Sequence, residues 1–444
     1  MGPRFVGRLG RSPPYRSLSV TELSLDSLFS RLLYSHLGFL MTFHLSSSVH
    51  AATLEGVFPP MMASRALCLC LLGAVVLGLL IASLLVYSRV ANQRVHQSQQ
   101  QSMEAAAPEE FSRAFLQAVA AVRRHQTAEG YWTTPVTRGP VFEQPLTEVN
   151  VFVPALILDL LEPVGQETGL TDALERTRGY LRDQIEATGL VRYHGKPGPL
   201  DPRQLGCELP PDADDTALIW RLAARDEQTL LPSVRRELEH YRTDAGLYQT
   251  WLADQETYRC FYDKFAGHDP NPADVGIQMH LYLFFAQYDQ EAARQLCDAL
   301  QQQIAEPRIW VWYTVAPLVP LVREGALAQA GCAMHVPASR LQEATSGQET
   351  YFTLSQLFQD LLLHQEPRPV LQPALQALQH VAAEKFLRLS QSPPLLYHND
   401  LSALPPHFHW SEDVGYALWL RLYVEVARRW PGSLPLPTPS AQAP

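Results

Sequence analysis

Three carboxylates lie within four residues in the segment Asp212-Ala213-Asp214-Asp215, which Pro211 precedes and the apolar run Leu218-Ile219-Trp220 follows. One acidic side chain is enough to cap a helix, whereas three in one turn repel one another. Repulsion and burial both raise the pKa of a carboxyl group. We therefore expect one of these groups to stay protonated near neutral pH and to act as a general acid toward a weak base. A purely structural acidic cap is the alternative for the same pattern.

Aromatic residues are frequent in the segments of this chain that are apolar on nearly all sides. Ring faces attract cations, so an aromatic cavity below an acid can hold a carbocation away from water. Ordinary core packing accounts for most of these rings. The aromatic residues that we predict to bind substrate are Trp220, Tyr282, Trp312, Tyr416 and Trp419.

Two kinds of helical segment alternate along the chain. The amphipathic ones are near 109–125, 172–186, 232–242, 289–304 and 371–389. The others are apolar on nearly every side, which is typical of buried helices, and they are near 147–152, 212–222, 271–285, 310–322, 349–363 and 411–426. With no convincing alternating strand pattern, six buried helices that alternate with amphipathic ones predict an all-α fold, an α/α toroid of six helical hairpins.

The inner helices of such a ring are parallel, so their N-termini share one mouth. Acidic residues at helix N-termini are ordinary caps, and capping is the simple interpretation of each single acid there. We predict that the acid partners of the central cluster come from this set, together with one histidine. The candidates are Asp274, His409, Glu412 and Asp413. A structural role is the simple interpretation of His280, His398, His407 and His409, of which His409 is the first to test.

Two motifs carry a family resemblance. Asp212-Ala213-Asp214-Asp215-Thr216-Ala217 resembles the DxDDTA signature of class II terpene cyclases, the squalene-hopene cyclase group. Gln126-x-x-x-Gly130-x-Trp132 is similar to the end of the glutamine/tryptophan repeat of that superfamily, in which the glutamine caps an outer helix. The resemblance implies that Asp214 donates a proton to a terminal alkene or epoxide of a linear isoprenoid, with Asp212 and Asp215 in support. It implies no metal or other cofactor.

The chain departs from that family in having room for one barrel where the family places its cavity between two. An open mouth would admit water, so we expect a second subunit, the membrane, or lid loops near 195–198 and 407–409 to close it. The leading hypothesis is a membrane-anchored class II-like terpene cyclase. The alternatives are an α/α-toroid carbohydrate-active enzyme that pairs Asp214 with Asp413, or a non-catalytic scaffold that keeps the fold. Zinc-dependent prenylation is disfavoured, because no Asp-x-Cys with a downstream His occurs.

An uncharged apolar segment in the first quarter of the chain predicts a membrane-bound protein. The 22 residues of 66–87 carry no charge, which matches the roughly 20 apolar residues of a transmembrane helix. Arg89 and Arg94 follow this span and Arg65 precedes it, which favours a cytoplasmic domain. Residues 1–60 are either a disordered arm or an over-long start, 88–108 form a polar linker, 109–430 form the barrel, and 431–444 form a proline-rich tail.

The composition of the chain argues against some classes of binding partner and metal site. The chain of 444 residues is 46% apolar and has a net charge of -10, which argues against a nucleic-acid partner. Its six cysteines include no CxxC and no Cys/His ligand spacing. We therefore expect neither a disulfide framework nor a zinc site.

Overall fold

The computed structural model describes residues 109–196, 208–224, 228–263, 269–313, 318–343, 348–363, 368–399 and 406–436. All of them belong to one unit that extends over 99–444. The predicted N-terminal extension, the span at 66–87, the linker at 88–108 and the end of the proline-rich tail lie outside the described residues.

Helices make up most of the described chain. In chain order, the longer ones are α1 (109–125), α2 (Phe152–Leu161), α3 (Thr171–Asp183), α4 (Ala213–Leu222), α5 (Leu231–His240), α6 (Val275–Tyr288), α7 (Gln290–Gln303), α8 (Leu318–Gln329), α9 (Glu349–Leu363), α10 (Arg368–Ala383) and α11 (Glu412–Arg429). Shorter helices are Glu162–Val164, Gly165–Thr168, Arg259–Tyr262, Pro307–Ile309, Ala338–Glu343 and Leu387–Gln391.

Six of these helices form a closed inner ring. α2 packs against α4, α4 against α6, α6 against α8, α8 against α9, α9 against α11, and α11 packs back against α2. Every residue of α6 from Val275 to Phe285 is buried, as expected for a helix that is apolar on all sides. Outside the ring, α3 packs on α2, α7 on α6, and α10 on α9 and α11. The predicted helical toroid is confirmed at this level.

One inner helix begins later than predicted. The expected helix near 310–322 is observed as α8, which begins at Leu318. The backbone N–H groups of Val311 and Trp312 both donate to Asp274 Oδ2 at 2.9 Å. Because these donors are bound to the cap of α6, the aromatic segment before α8 crosses the N-terminus of α6 instead of forming a helical turn.

The all-α prediction is wrong in one respect, because the structure contains a small antiparallel sheet. Its strands are β1 (Thr134–Thr137), β2 (Leu146–Glu148), β3 (Leu395–Asn399) and β4 (His407–Trp410), in the order β2-β1-β4-β3. Strands of three to five residues are too short to show an alternating pattern. The sheet joins a loop near the start of the domain to one near its end, since Val136 pairs with His409.

The expectation that the chain has no disulfide framework is also wrong. Cys297 on α7 and Cys332 after α8 form a disulfide across a sequence separation of 35 residues. Neither cysteine belongs to a recognisable motif, so spacing along the sequence could not reveal the pair.

The predicted membrane localisation must be corrected. Among the helices that the structure describes, none combines the length and the apolar character required to cross a bilayer. The segment on which that prediction rested, 66–87, lies outside the described residues.

Candidate active site

A cavity opens at the N-terminal ends of three inner helices. The space between its lining atoms, together with solvent at its opening, amounts to about 930 Å³. The acidic cluster forms one wall, and residues of β3 and β4 form another. The lining side chains used below are Phe152, Tyr193, Asp212, Asp214, Asp215, Trp251, Phe261, Trp312, Tyr313, Tyr397 and His409.

At the start of α4, one of the three carboxylates caps the helix and the other two do not. Asp212 is the N-cap, and its Oδ1 accepts a hydrogen bond of 2.7 Å from the backbone N–H of Asp215. Asp214 and Asp215 follow in the first turn, so neither is needed as the cap. Capping thus explains Asp212 but does not explain Asp214 and Asp215.

Burial changes the proton affinity of the two flanking acids. It raises the pKa of Asp212 to about 7, helped by the charge of Asp214 and opposed by the hydrogen bond from the Asp215 N–H. Burial, with the charges of Asp212 and Asp214, raises the pKa of Asp215 well above its ordinary value. The cluster therefore holds protons at pH values at which exposed aspartates have lost them.

Asp214 is the member of the cluster with specific polar partners in the cavity. Its side chain is 14% exposed. The Tyr313 hydroxyl donates to Asp214 Oδ2 at 3.3 Å, and His280 Nδ1 is hydrogen-bonded to Oδ1. Both donors stabilise the negative charge that remains on Asp214 after it gives up a proton.

A hydrogen bond from Arg323 determines which ring nitrogen of His280 carries the proton. Its Nε2 accepts a hydrogen bond of 2.8 Å from Arg323 Nε, so Nδ1 carries the proton and donates to Asp214. Burial lowers the pKa of His280, and the charge of Arg323 acts in the same direction. The ring is therefore a neutral donor with a set tautomer.

Arg323 is held by a buried ion-pair network. Arg323 Nη1 donates to Asp159 Oδ2, and Arg221 Nη2 lies 2.7 Å from the same oxygen. Burial alone would raise the pKa of Asp159, but Arg221 and Arg323 hold it far below the usual range. An ionised Asp159 thus anchors both guanidinium groups inside the ring.

The predicted substrate-binding aromatics divide into two groups. Trp312 lines the cavity. The other four do not, and the polar atoms of three of them are bound to backbone carbonyls in the core. Trp220 Nε1 donates to Gly189 at 2.7 Å, the Tyr282 hydroxyl to Ala330 at 2.7 Å, and Trp419 Nε1 to Leu378 at 3.1 Å, while Tyr416 packs on Phe386. These side chains lie farther along their helices, away from the cavity.

The predicted acid partners have other roles in the structure. Asp274 caps α6 and accepts backbone N–H bonds from Gly276, Val311 and Trp312. Against those bonds, burial raises the pKa of Asp274 to about 7. Asp413 is hydrogen-bonded to His125 Nδ1 at 2.8 Å. Asp274, Glu412 and Asp413 are not among the side chains that line the cavity.

The histidine next to the acid is not the one that the sequence favoured. His409 lines the cavity, but its Nδ1 lies 3.8 Å from Glu148 Oε1 and 3.4 Å from the Tyr193 hydroxyl. Burial lowers the pKa of His409 to about 4. His280, interpreted as structural, contacts Asp214 instead. The signal for His280 in the sequence is an ionisable side chain in the middle of a mostly apolar inner helix.

The Gln126 element lies outside the cavity and joins two outer helices. Gln126 Nε2 donates to Ala173 O and Thr177 Oγ1 of α3, each at 2.8 Å, and its Oε1 accepts from Arg176. The Trp132 indole donates to Val122 O of α1 at 2.9 Å. Gly130 has φ +101°, and a Cβ there would lie 2.6 Å from a carbonyl oxygen of α3. The element therefore fixes α1 against α3.

Comparisons with known proteins find similar solved structures only. No family model matches the chain, and no curated protein does. A variant of the type II terpene cyclase MstE from Scytonema, in complex with geranylgeranyl dihydroxybenzoate, is 16% identical with a TM-score of 0.47, over 72% of this chain and 99% of that one. The apo MstE structure is 16% identical with a TM-score of 0.46 over the same shares. A protein from Actinoplanes is 12% identical with a TM-score of 0.41, over 71% and 99%.

Proposed function

We propose that the domain over 109–430 is a class II-type terpene cyclase, which cyclises a linear isoprenoid after protonation by Asp214. The observation that carries the proposal is the Asp214 carboxyl itself. It faces a cavity, is hydrogen-bonded to His280 and Tyr313, and lies beside two buried carboxyl groups, those of Asp212 and Asp215, whose pKa values are raised. Its position at the start of α4 agrees with the resemblance of this segment to the DxDDTA signature.

The initiating step needs only the protonated carboxyl and the substrate. The O–H bond of Asp214 breaks as a C–H bond forms at the terminal alkene carbon, and the π electrons of that alkene make the new bond. The adjacent carbon becomes a tertiary cation, which the next alkene of the chain attacks. For an epoxide, the proton goes to oxygen and a C–O bond breaks. His280 and Tyr313 stabilise the Asp214 carboxylate that is left.

The cavity wall suits a cationic intermediate. The aromatic residues Phe152, Trp251, Phe261, Trp312 and Tyr313 line the same cavity as Asp214. A cation over an aromatic face gains about 0.5–2 kcal/mol or more as water is removed. Rings also lack the nucleophilic atoms that would trap the intermediate. The wall therefore favours ring closure over addition of water.

The carbohydrate-active alternative lacks its second acid at the predicted place. An inverting glycosidase requires a base across the substrate from the acid, with the two carboxyl groups about 6.5–9.5 Å apart. Asp413, the predicted base, is hydrogen-bonded to His125 and does not line the cavity. No specific observation favours that function, and a non-catalytic scaffold becomes one outcome of the test below.

The test uses the full chain and a panel of linear isoprenoids from farnesyl to squalene length, including terminal epoxides. Cyclised products are identified by mass spectrometry. We expect conversion by the wild type and a loss of about 100-fold or more in Asp214→Asn, the usual contribution of a positioned proton donor. Asp413→Asn is the matched control, because it removes a carboxyl outside the cavity, and it should retain activity.

Two results would contradict the proposal. Product formation that survives in Asp214→Asn would remove Asp214 as the proton donor. No product from any isoprenoid, with a folded wild-type protein, would favour the scaffold.

A further inference from the structure

The cavity wall that β3 and β4 form carries a second hydrogen-bonded cluster. The hydroxyl groups of Tyr193 and Tyr397 are in contact, and the Tyr193 hydroxyl donates to Glu148 Oε1. Asn150 Nδ2 donates to the Tyr193 oxygen at 2.8 Å and to Glu148 Oε1 at 3.2 Å. The His409 ring stacks on Tyr397, with centroids 4.2 Å apart and an angle of 13° between the planes. This cluster has no part in protonation by Asp214.

The directions of these bonds define a relay. The Tyr193 hydroxyl donates to Glu148 Oε1, so its proton points toward that carboxyl group. The Tyr193 oxygen then accepts from Asn150 and from the Tyr397 hydroxyl. Tyr397 lines the cavity, and among the described residues Tyr193 is the partner of its hydroxyl, which leaves the lone pairs of Tyr397 Oη able to accept a proton. Burial raises the pKa of both tyrosines well above the ordinary value, so both are neutral phenols that can pass a proton on.

The relay lies close to the proposed proton donor. The Tyr313 hydroxyl donates to Asp214, and the Tyr313 ring is 6.4 Å from the Tyr397 ring, centroid to centroid. Phe152 packs edge-on against Tyr397 at 5.3 Å and against His280 at 6.0 Å. Tyr313 thus contacts Asp214 and lies near Tyr397, and all three side chains line the same cavity.

We infer that Tyr397, backed by Tyr193 and Glu148, accepts the proton that the carbocation loses when cyclisation ends. This inference rests on the proposed cyclase function. A C–H bond next to the cationic carbon breaks, and its electron pair becomes the π bond of the product. The proton goes to Tyr397 Oη, the former Tyr397 proton goes to Tyr193 Oη, and the former Tyr193 proton goes to Glu148 Oε1. Nothing is oxidised or reduced, and Glu148 ends as a neutral acid.

The alternative for the cation is capture by water, which gives an alcohol. The two outcomes differ in their products even when initiation is unchanged. The role of Tyr397 is therefore visible in the ratio of alkene to alcohol, and a merely structural role would leave this ratio unchanged.

The test compares Tyr397→Phe and Glu148→Gln with the wild type in the full chain. The substrate is whichever isoprenoid of the farnesyl-to-squalene panel the wild type converts. In both variants we expect substrate consumption to continue while the ratio of cyclic alkene to cyclic alcohol falls by about 100-fold, the low end of what a positioned proton-transfer group contributes. Tyr248→Phe is the matched control, because its hydroxyl also donates to a glutamate, Glu239 at 3.3 Å, and neither residue lines the cavity.

The outcomes separate the relay from the cyclase proposal. An unchanged product ratio in Tyr397→Phe and Glu148→Gln overturns the relay while the cyclase stands. A uniform fall of all products with no change in their ratio also overturns it, since that is the effect of altered packing. If one variant does not fold, Tyr193→Phe breaks the relay at its middle and decides the question. If the wild type cyclises nothing, the cyclase proposal fails and the relay fails with it.

Discussion

Arg323 Nε donates a hydrogen bond of 2.8 Å to His280 Nε2, and this bond fixes the face that His280 presents to Asp214. An imidazole with Nε2 as acceptor has its proton on Nδ1, so the ring donates to the Asp214 carboxyl and takes no proton from it. Burial lowers the pKa of His280 and keeps the ring neutral. Arg323 thus acts on the proposed acid through one intermediate side chain.

Replacement of His280 should slow the proposed proton transfer from Asp214. His280→Ala removes the donor to Asp214 Oδ1, so the carboxylate formed by proton transfer is less stable. We expect a fall in kcat of about 100-fold, within the usual range for acid-base partners. Cyclised product per minute at saturating isoprenoid measures the effect. His380→Ala is the control, because His380 is exposed on α10, and an equal loss in both variants would argue against the assigned role.

Removal of Arg323 should cost stability as well as activity. Arg323→Met leaves His280 without its donor and Asp159 with Arg221 as its partner. Breaking a buried ion pair from one side typically costs about 3–5 kcal/mol, whereas removing both partners costs less. Urea unfolding should therefore show a smaller loss for Asp159→Asn/Arg323→Met than the sum of the two single losses. Strict additivity would mean that the pair is not coupled.

Local patterns explain what the sequence could predict. Residues 212–222 contain in one stretch the cap, the acidic first turn and the apolar body of α4. The helix and its acid cluster can therefore be predicted from this segment alone. The inner helices α6, α9 and α11 were recognised because they are apolar on nearly all sides. A ring of such helices, covered on the outside by amphipathic ones, is an arrangement that buries every face of all six.

Other features of the site and the fold could not be predicted from the sequence, because they depend on contacts between distant segments. His280 and Tyr313 are 66 and 99 residues from Asp214, and each belongs to a different element. The residue type alone does not distinguish a histidine that touches an acid from one that fills the core. The sheet was missed for the same reason, because β1 pairs with a strand near the end of the domain. The non-helical residues Val311 and Trp312 are bound to Asp274, which no local pattern reveals.

The disulfide between Cys297 and Cys332 should stabilise one side of the ring. It joins α7 to the segment after α8. Loss of a disulfide that closes a loop of this size typically costs about 2–4 kcal/mol. We expect Cys297→Ser and the double variant Cys297→Ser/Cys332→Ser to lose similar amounts, because either change removes the whole bond. Thermal unfolding of the oxidised protein measures this, and a wild-type-like Tm in both variants would contradict the predicted stabilisation.

The raised pKa of Asp212 predicts a stability that depends on pH. Its pKa is about 7 when folded, mainly because of burial, and about 4 in an unfolded chain. The folded protein therefore binds this proton more tightly, so the stabilisation is full below about pH 4 and is lost as the pH rises through about 7. Asp212→Asn keeps a side-chain oxygen for the cap of α4 but carries no charge. Relative to the wild type, it should raise the free energy of unfolding by roughly 2–4 kcal/mol at pH 8, and the gain should shrink steadily toward pH 5. Urea titrations at several pH values measure this, with exposed Asp298→Asn as the control. A gain that does not change with pH would show that Asp212 is ionised in the folded protein throughout this range.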